Sequence, residues 1–269
     1  MTIKEVLDLV KKNKKYRYID DNLILEKLKK YYFDEDMGKR EIEGIVKEIR
    51  AEIHKSYGVF QIKKRKREKY LDELKNLLRK CSITDEESVE LHKKILMTNV
   101  STKERLDYYK EIYEKLFKII GKLEKVVDLG CGLNIFSFVF MGLDKLDYYG
   151  YDISKDDVGF INRYIKLNPD LKGKAEVMNI LKDFSKVGKG DVCFLFKFLD
   201  SIGKDYKFYE ELIKGLRCKF VVVSFATRKI SGKKMRFGNR RWIEYMLERM
   251  GRRYEKFSVE NEIFYVIGG

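Results

Sequence analysis

The chain has 269 residues, of which 44% are hydrophobic, 38% are charged and only one is proline. That length fits one large or two modest domains with a substantial core, and 13% aromatic content argues against disorder. The formal charge of +15 implies an anionic partner, with nucleic acid ahead of a membrane surface. No apolar run approaches the roughly 18 residues of a membrane span, and the N-terminus (MTIKEVLDLV) lacks a signal-peptide core. Cys81, Cys131, Cys193 and Cys218 are scattered with no CxxC pair, so disulfides, zinc ribbons and iron–sulfur clusters are not expected. With only His54 and His92 available, no metal site is expected either. These features imply a cytoplasmic protein without a membrane anchor.

Residues 1–100 read as helices. Val6, Leu7, Leu9 and Val10 start an apolar stripe, and Ile42, Ile45, Val46, Ile49 and Ile53 recur at spacings of three and four. Residues 68–80 and 85–97 supply two more helices. At 101–104, STKE reads as a capping box that opens a helix running to about Ile120. The period then changes. KVVDLG (125–130), DYYGYDI (147–153), AEVM (175–178), DVCFLFK (191–197) and KFVVVSFA (219–226) are strand-like runs separated by helical stretches, an α/β pattern with a parallel sheet. RYEKFSV (253–259) and IFYVIG (263–268), joined by a turn, read as a closing antiparallel hairpin. The change of period places a boundary between a helical domain, 1–100, and an α/β domain, 101–269.

VVDLGCGLN (126–134) follows a strand and opens a helix, so Gly130 and Gly132 let backbone approach a ligand. Asp152 ends the next strand, where a carboxylate can accept both hydroxyls of a ribose. Ile135 stands where a dinucleotide fingerprint needs its third glycine, and no Walker lysine is present. S-adenosylmethionine needs neither, only a glycine turn, a ribose acid and an adenine pocket. Asn179 and Ile180 offer a polar group beside an apolar contact for that adenine, although an ordinary turn asparagine would look the same. Lys197, ending an apolar strand, pairs with a methionine carboxylate, holds a target nucleotide, or simply snorkels to solvent. Cys193 and Cys218 sit in or beside strands and read as core, which removes the nucleophile that pyrimidine C-methylation requires. Lys197-Phe198-Leu199-Asp200 replaces the N/D-P-P-Y/F turn common in amino-group methylation. Guanine N7, which carries a free lone pair and loses no proton, needs only in-line alignment with a methyl donor.

Two cationic segments complete the pattern. Residues 228–241 (RKISGKKMRFGNRR) hold seven positive charges and no acid, and KKRKREK spans 63–69. Cations mixed with Phe237 and Asn239 suit phosphate contacts together with a stacking or base-edge element. The expected RNA contacts are Lys63, Lys64, Arg65, Lys66 and Arg67 in one segment. In the other they are Arg228, Lys229, Lys233, Lys234, Met235, Arg236, Arg240 and Arg241.

Taken together, these motifs resemble the Arm/Rmt group of 16S ribosomal RNA guanine-N7 methyltransferases, known for aminoglycoside resistance. The similarity is carried by IHKSYGVF (53–60), STKERL (101–106), DLGCGLN (128–134), YDI (151–153), FLFK (194–197), SFATRKISGKKM (224–235) and NEIFYVI (261–267). The resemblance implies a Rossmann-like class I S-adenosylmethionine-dependent methyltransferase with an N-terminal all-helical domain. It implies that Arg105 binds the methionine carboxylate, that Asp128, Gly130, Cys131 and Gly132 pass under the cofactor, and that Asp152 and Ile153 hold the ribose. Phe60, Ser101 and Phe196 join that site, Asn179 and Ile180 take the adenine, and Lys197 lies by the reacting groups as a positioning residue with no general base. Asn179 stands where the family usually has aspartate, and the loop at 231–236 is shorter than the family's. The implied substrate is a decoding-site guanine (1405-type, helix 44) of 16S rRNA within the 30S subunit, methylated by a monomer. Two alternatives are a methyltransferase acting on another RNA atom or on tRNA, and a non-catalytic RNA-binding protein.

Overall fold

The computed structural model describes residues 2–34, 36–58, 66–203, 205–228 and 240–268. Seven strands form one sheet: β1 (Lys125–Leu129), β2 (Leu146–Asp152), β3 (Leu171–Val177), β4 (Gly190–Phe196), β5 (Cys218–Ala226), β6 (Tyr254–Val259) and β7 (Glu262–Gly268). Their order is β3-β2-β1-β4-β5-β7-β6. The first five are parallel, and β7 runs antiparallel to β5 and β6. This is the sheet expected from the alternating runs and the terminal hairpin. From β1 the chain winds outward to β2 and β3, then returns to place β4 on β1's other side. The carboxyl ends of β1 and β4 therefore diverge into a crevice, where α/β sheets bind ligands.

Both faces of the sheet's centre are covered, which is why β4, β5 and β7 are almost continuously apolar, whereas β3 and β6 at the two edges carry exposed polar residues. Val126, Phe194, Phe196, Val222 and Phe264 face one core, while Val127, Leu129, Cys193, Leu195, Val223 and Tyr265 face the other. The helices number α1 (Ile3–Lys11), α2 (Asp21–Leu28), α3 (Lys39–Ser56), α4 (Arg67–Leu77), α5 (Glu86–Leu96), α6 (Val100–Arg105) and α7 (Tyr109–Ile120). They continue as α8 (Lys155–Leu167), α9 (Ile180–Asp183), α10 (Phe198–Ile202), α11 (Tyr206–Gly215) and α12 (Arg241–Arg249). Residues of α4, α5, α7 and α8 join the first core, and residues of α11 and α12 the second. The helices α1–α3 bury Val6, Val10, Leu23, Ile24, Ile42, Val46, Ile49 and Ile53 in a third core of their own. That core meets the sheet at Ile153, where Asp20 N–H donates to Ile153 O (3.1 Å) and Lys155 N–H donates to Tyr18 O (2.9 Å). No helix among the described residues is long and apolar enough to cross a membrane.

Two local expectations need correction. STKE is not a capping box: the N-cap is Asn99, whose Oδ1 accepts the Ser101 N–H at 2.9 Å, and the helix breaks into a 3₁₀ turn at Leu106–Tyr108 before α7. Ser101 and Glu104 are thereby released for tertiary contacts. The helix after the glycine turn is also 3₁₀, spanning Asn134–Phe140. A period of three lines up Asn134, Ser137 and Phe140. That row meets α7, where Tyr109 OH donates to Asn134 (3.2 Å), Tyr113 pairs with Ser137 (2.6 Å) and Tyr109 stacks on Phe140.

Candidate active site

The crevice is built from the carboxyl ends of β1, β2 and β4 and the turn after β3. Strand β1 ends at Leu129, and Gly130 and Gly132 then adopt φ of 66° and 50°. Glycine is required at 130 twice over, since a Cβ there would lie 2.5 Å from the Phe198 ring. The turn's backbone is tied to the next strand end: Gly132 N–H donates to Asp152 Oδ2 (3.0 Å) and Ser154 N–H to Oδ1 (3.0 Å). Burial and the neighbouring Asp157 push the Asp152 carboxyl up to about 6. Beneath it, Asp128 accepts from Asn134 Nδ2 (2.9 Å) and Tyr148 OH (3.0 Å); burial outweighs both bonds and raises its pKa to about 7.

Opposite lies a compact cluster of charge. Lys197, which caps α10, is the one described non-glycine residue with positive φ (55°). Its Nζ meets Glu104 at 2.6 Å and Glu262 at 3.1 Å. Glu262, fully buried at the head of β7, accepts from Arg105 Nε (3.0 Å) and Ser224 Oγ (2.5 Å). Burial pushes the Glu262 carboxyl up, but Arg105 and Lys197 outweigh it and hold it below its ordinary value. Arg105 also donates to Ser101 Oγ (2.9 Å) and lies 5.0 Å over the Phe196 ring. Two cations face two carboxylates, so the cluster is neutral. Lys197 is neither free nor snorkelling.

One pocket gathers these groups. Ser101, Arg105, Asp128, Gly130, Cys131 and Gly132 line it, as do Asp152, Ile153, Asn179, Ile180, Phe196 and Lys197. Phe60 lies outside the described residues. Asn179 caps α9, with Oδ1 accepting Leu181 N–H at 3.2 Å. Sequence reasoning missed the wall contributed by the helical layer: Leu23 and Lys27 from α2, and Tyr57 after α3. The Tyr57 hydroxyl bonds Ser154 (3.0 Å) and Asp157 (2.9 Å). Tyr57 lies within the IHKSYGVF segment, but no local signal marks Leu23 and Lys27. Glu262 was also missed, although a carboxylate heading an otherwise apolar strand was visible in NEIFYVI. Among the described residues, no group of three or more His, Cys, Asp or Glu is placed to hold a metal ion.

A model of the family described as "Ribosomal RNA methyltransferase (FmrO)" matches residues 13–266. The chain belongs to this family of rRNA methyltransferases. It is 26% identical over 234 residues to a Proteus mirabilis protein named 16S rRNA (guanine(1405)-N(7))-methyltransferase, covering 82% of this chain and 83% of that one. A Frankia casuarinae protein of the same name is 29% identical over 176 residues, covering 64% of this chain and 62% of its own length. Among solved structures, the 16S rRNA methyltransferase RmtF in complex with S-adenosyl-L-homocysteine shares the fold with a TM-score of 0.76. The two are 22% identical, with 99% of this chain and 97% of that one covered. The 16S rRNA methylase RmtB shares the fold at a TM-score of 0.72 and 20% identity, covering 100% of this chain and 98% of that one.

The expected RNA contacts of this family member divide four ways. Lys63, Lys64, Arg65, Lys229, Lys233, Lys234, Met235 and Arg236 lie outside the described residues. Lys66 and Arg241 are exposed. Arg67 is a correction: it is only 2% exposed, and its guanidinium meets Asp157 Oδ1 at 2.6 Å and Thr98 Oγ1 at 2.7 Å. An arginine enclosed in that way fastens α4 to α8 and cannot touch RNA. Arg228 pairs with Glu260. Arg240 bonds Asp200 (2.7 Å) and lies 5.4 Å over the Phe225 ring, so it supports the end of β5 besides carrying charge toward solvent.

Proposed function

We propose that this chain transfers the methyl group of S-adenosylmethionine to N7 of the 1405-type guanine of 16S rRNA, acting as a cytoplasmic monomer on the 30S subunit. Membership of an rRNA methyltransferase family, with relatives named for that nucleotide, supports the substrate. The single observation that carries the chemistry is the carboxylate of Asp152 facing the two-glycine turn at the switch point of the sheet, in one pocket with Arg105 and Asn179. The residues fit the cofactor: Asp152 takes the ribose hydroxyls, and Asn179 with Ile180 the adenine. Arg105, oriented by Glu262, takes the methionine carboxylate.

When bound, S-adenosylmethionine supplies an electrophilic methyl group on a positively charged sulfur. The chain's task is positioning, because guanine N7 attacks through a lone pair and releases no proton. Lys197 is committed to Glu104 and Glu262, so it orients the mouth of the pocket and is no base. The neutrality of that cluster leaves no excess cation to repel the sulfonium. The N-terminal helices and the cationic segment 228–241, which follows β5 in the sequence, supply the rRNA-docking surface. N7 methylation adds a positive charge and a methyl group where aminoglycosides hydrogen-bond in the decoding site, and resistance follows.

The test is to incubate the protein and S-adenosylmethionine with assembled 30S subunits, naked rRNA and tRNA in parallel. Reverse transcription and mass spectrometry then map the product. N7-methylguanine at the 1405-type position in 30S is the expected result. Its absence there, or methylation of another atom or of tRNA instead, would overturn the proposal.

A further inference from the structure

One hydrogen bond joins the helical layer directly to the base end of the pocket. Glu26, on α2, accepts from Asn179 Nδ2 at 2.6 Å. Asn179 is nearly buried, and its other side-chain atom, Oδ1, accepts the Leu181 N–H. These two partners remove the usual ambiguity of a carboxamide. Leu181 N–H can only donate and the Glu26 carboxylate can only accept, so reversing the amide would set donor against donor and acceptor against acceptor. Lys182, whose Nζ lies 3.7 Å from the same Glu26 oxygen, helps keep that carboxylate in place.

A carboxamide offers two N–H donors and two lone pairs. With one of each spent, Asn179 retains one N–H and one lone pair in a fixed arrangement. Adenine presents the complement, an acceptor at N1 and an amino donor at C6. A 6-oxo purine presents the reverse, a donor at N1 and an acceptor at C6.

We infer that Glu26 is a positioning residue for cofactor selection: it locks the Asn179 amide in the orientation that accepts a 6-aminopurine and rejects a 6-oxopurine. The inference rests on the reading of this pocket as an adenosyl site. It also makes the helical layer part of cofactor recognition, because the lock sits on α2. Glu26 itself touches no reacting atom.

The experiment is isothermal titration calorimetry of the full chain with S-adenosylhomocysteine and with S-inosylhomocysteine, which differs at the purine 6-position. The wild type is expected to favour the adenosyl ligand by at least about tenfold, since a mismatched edge leaves buried polar groups unpaired. Glu26→Leu leaves only the longer Leu181 N–H bond to orient the amide, so the preference should fall to about twofold, with adenosyl affinity itself down by about fivefold. Glu26→Gln can still accept the same N–H through its Oε1 and should recover most of the preference, which a merely structural role would not predict. Glu26 borders solvent and belongs to none of the apolar cores, and Glu26→Ala carries the same expectation should the leucine variant not fold. A leucine or alanine variant with the wild-type affinity and preference would overturn the inference and leave the cofactor site standing. A wild type that binds neither ligand would overturn the cofactor reading itself.

Discussion

Lys66 and Arg67 are neighbours in one run of cations, and the fold treats them in opposite ways. Lys66 stays in solvent, while Arg67 is drawn into a buried ion pair with Asp157. The same contrast separates two regions of the molecule. At the crevice, Arg67, Arg105 and Lys197 are buried against Asp157, Glu262 and Glu104, and each has a defined geometric duty. Around β5 and α12, Arg228, Arg240 and Arg241 lie at or near the surface, where charge acts over distance and is screened by salt. Charge at depth orients groups; charge at the surface attracts a polyanion. Composition counts both alike.

The contrast can be broken most decisively at Glu262. Replacing it by leucine leaves Arg105 fully buried without its carboxylate and strips Lys197 of one of two partners. The expected loss is about 4 kcal/mol, read from urea denaturation. Unchanged stability would mean that the cluster does not hold the head of β7. Next comes Arg67→Ala, expected to cost about 3 kcal/mol by stranding Asp157, whereas Lys66→Ala should leave the denaturation midpoint where it was. Equal effects of the two would erase the distinction between depth and surface.

Asp152 sharpens the comparison through binding. Asp152→Ala should weaken S-adenosylmethionine binding by about 100-fold, because two charge-assisted bonds to the ribose disappear; calorimetry reads this directly, and wild-type affinity would reject the ribose assignment. Acidity adds a sign test. Asp128 and Asp152 have pKa values raised to about 7 and about 6, above their ordinary value of 3.8. The folded chain therefore holds protons that the unfolded chain releases. Their contribution to stability is full below about pH 4 and is lost as pH rises through 6 to 7. Cofactor affinity should move the other way, rising as pH passes about 6 and Asp152 becomes a carboxylate. Urea midpoints and calorimetry across that range would show whether the two trends oppose each other.

The smallest effect belongs to Arg241→Ala. This exposed cation should cost only a few-fold in 30S affinity and lower the salt slope by about one. Arg240→Ala is a less clean probe, because Asp200 and the Phe225 ring would lose their partner at the same time.

Much of the fold was legible. Runs of four to eight residues marked all seven strands, because the two-sided burial of the central ones leaves little choice of side chain; AEVM caught only the end of β3, whose first half is largely polar and exposed at the sheet edge. The glycine turn and Asp152 were legible because backbone approach and a strand-end carboxylate are local requirements. The start of α6 was misread because Asn99, two residues upstream of Ser101, is the better-placed cap. The division at residue 100 follows a change of secondary structure. Packing groups the chain differently, since Leu71, Leu74, Ile95 and Leu96 share the sheet's core while residues 6–57 bury their own.

The sequence by itself determined the element types, the glycine turn, the strand-end carboxylate Asp152 and the cationic excess, all of which depend on spacing along the chain or on composition. Tertiary structure alone decided that Glu262 would hold Arg105 and Lys197 across 157 and 65 positions, that Arg67 would be buried, and that α2 would reach Asn179. The physical reason is that a buried charge must find an opposite charge in space, and distance along the chain says nothing about which one the fold brings near.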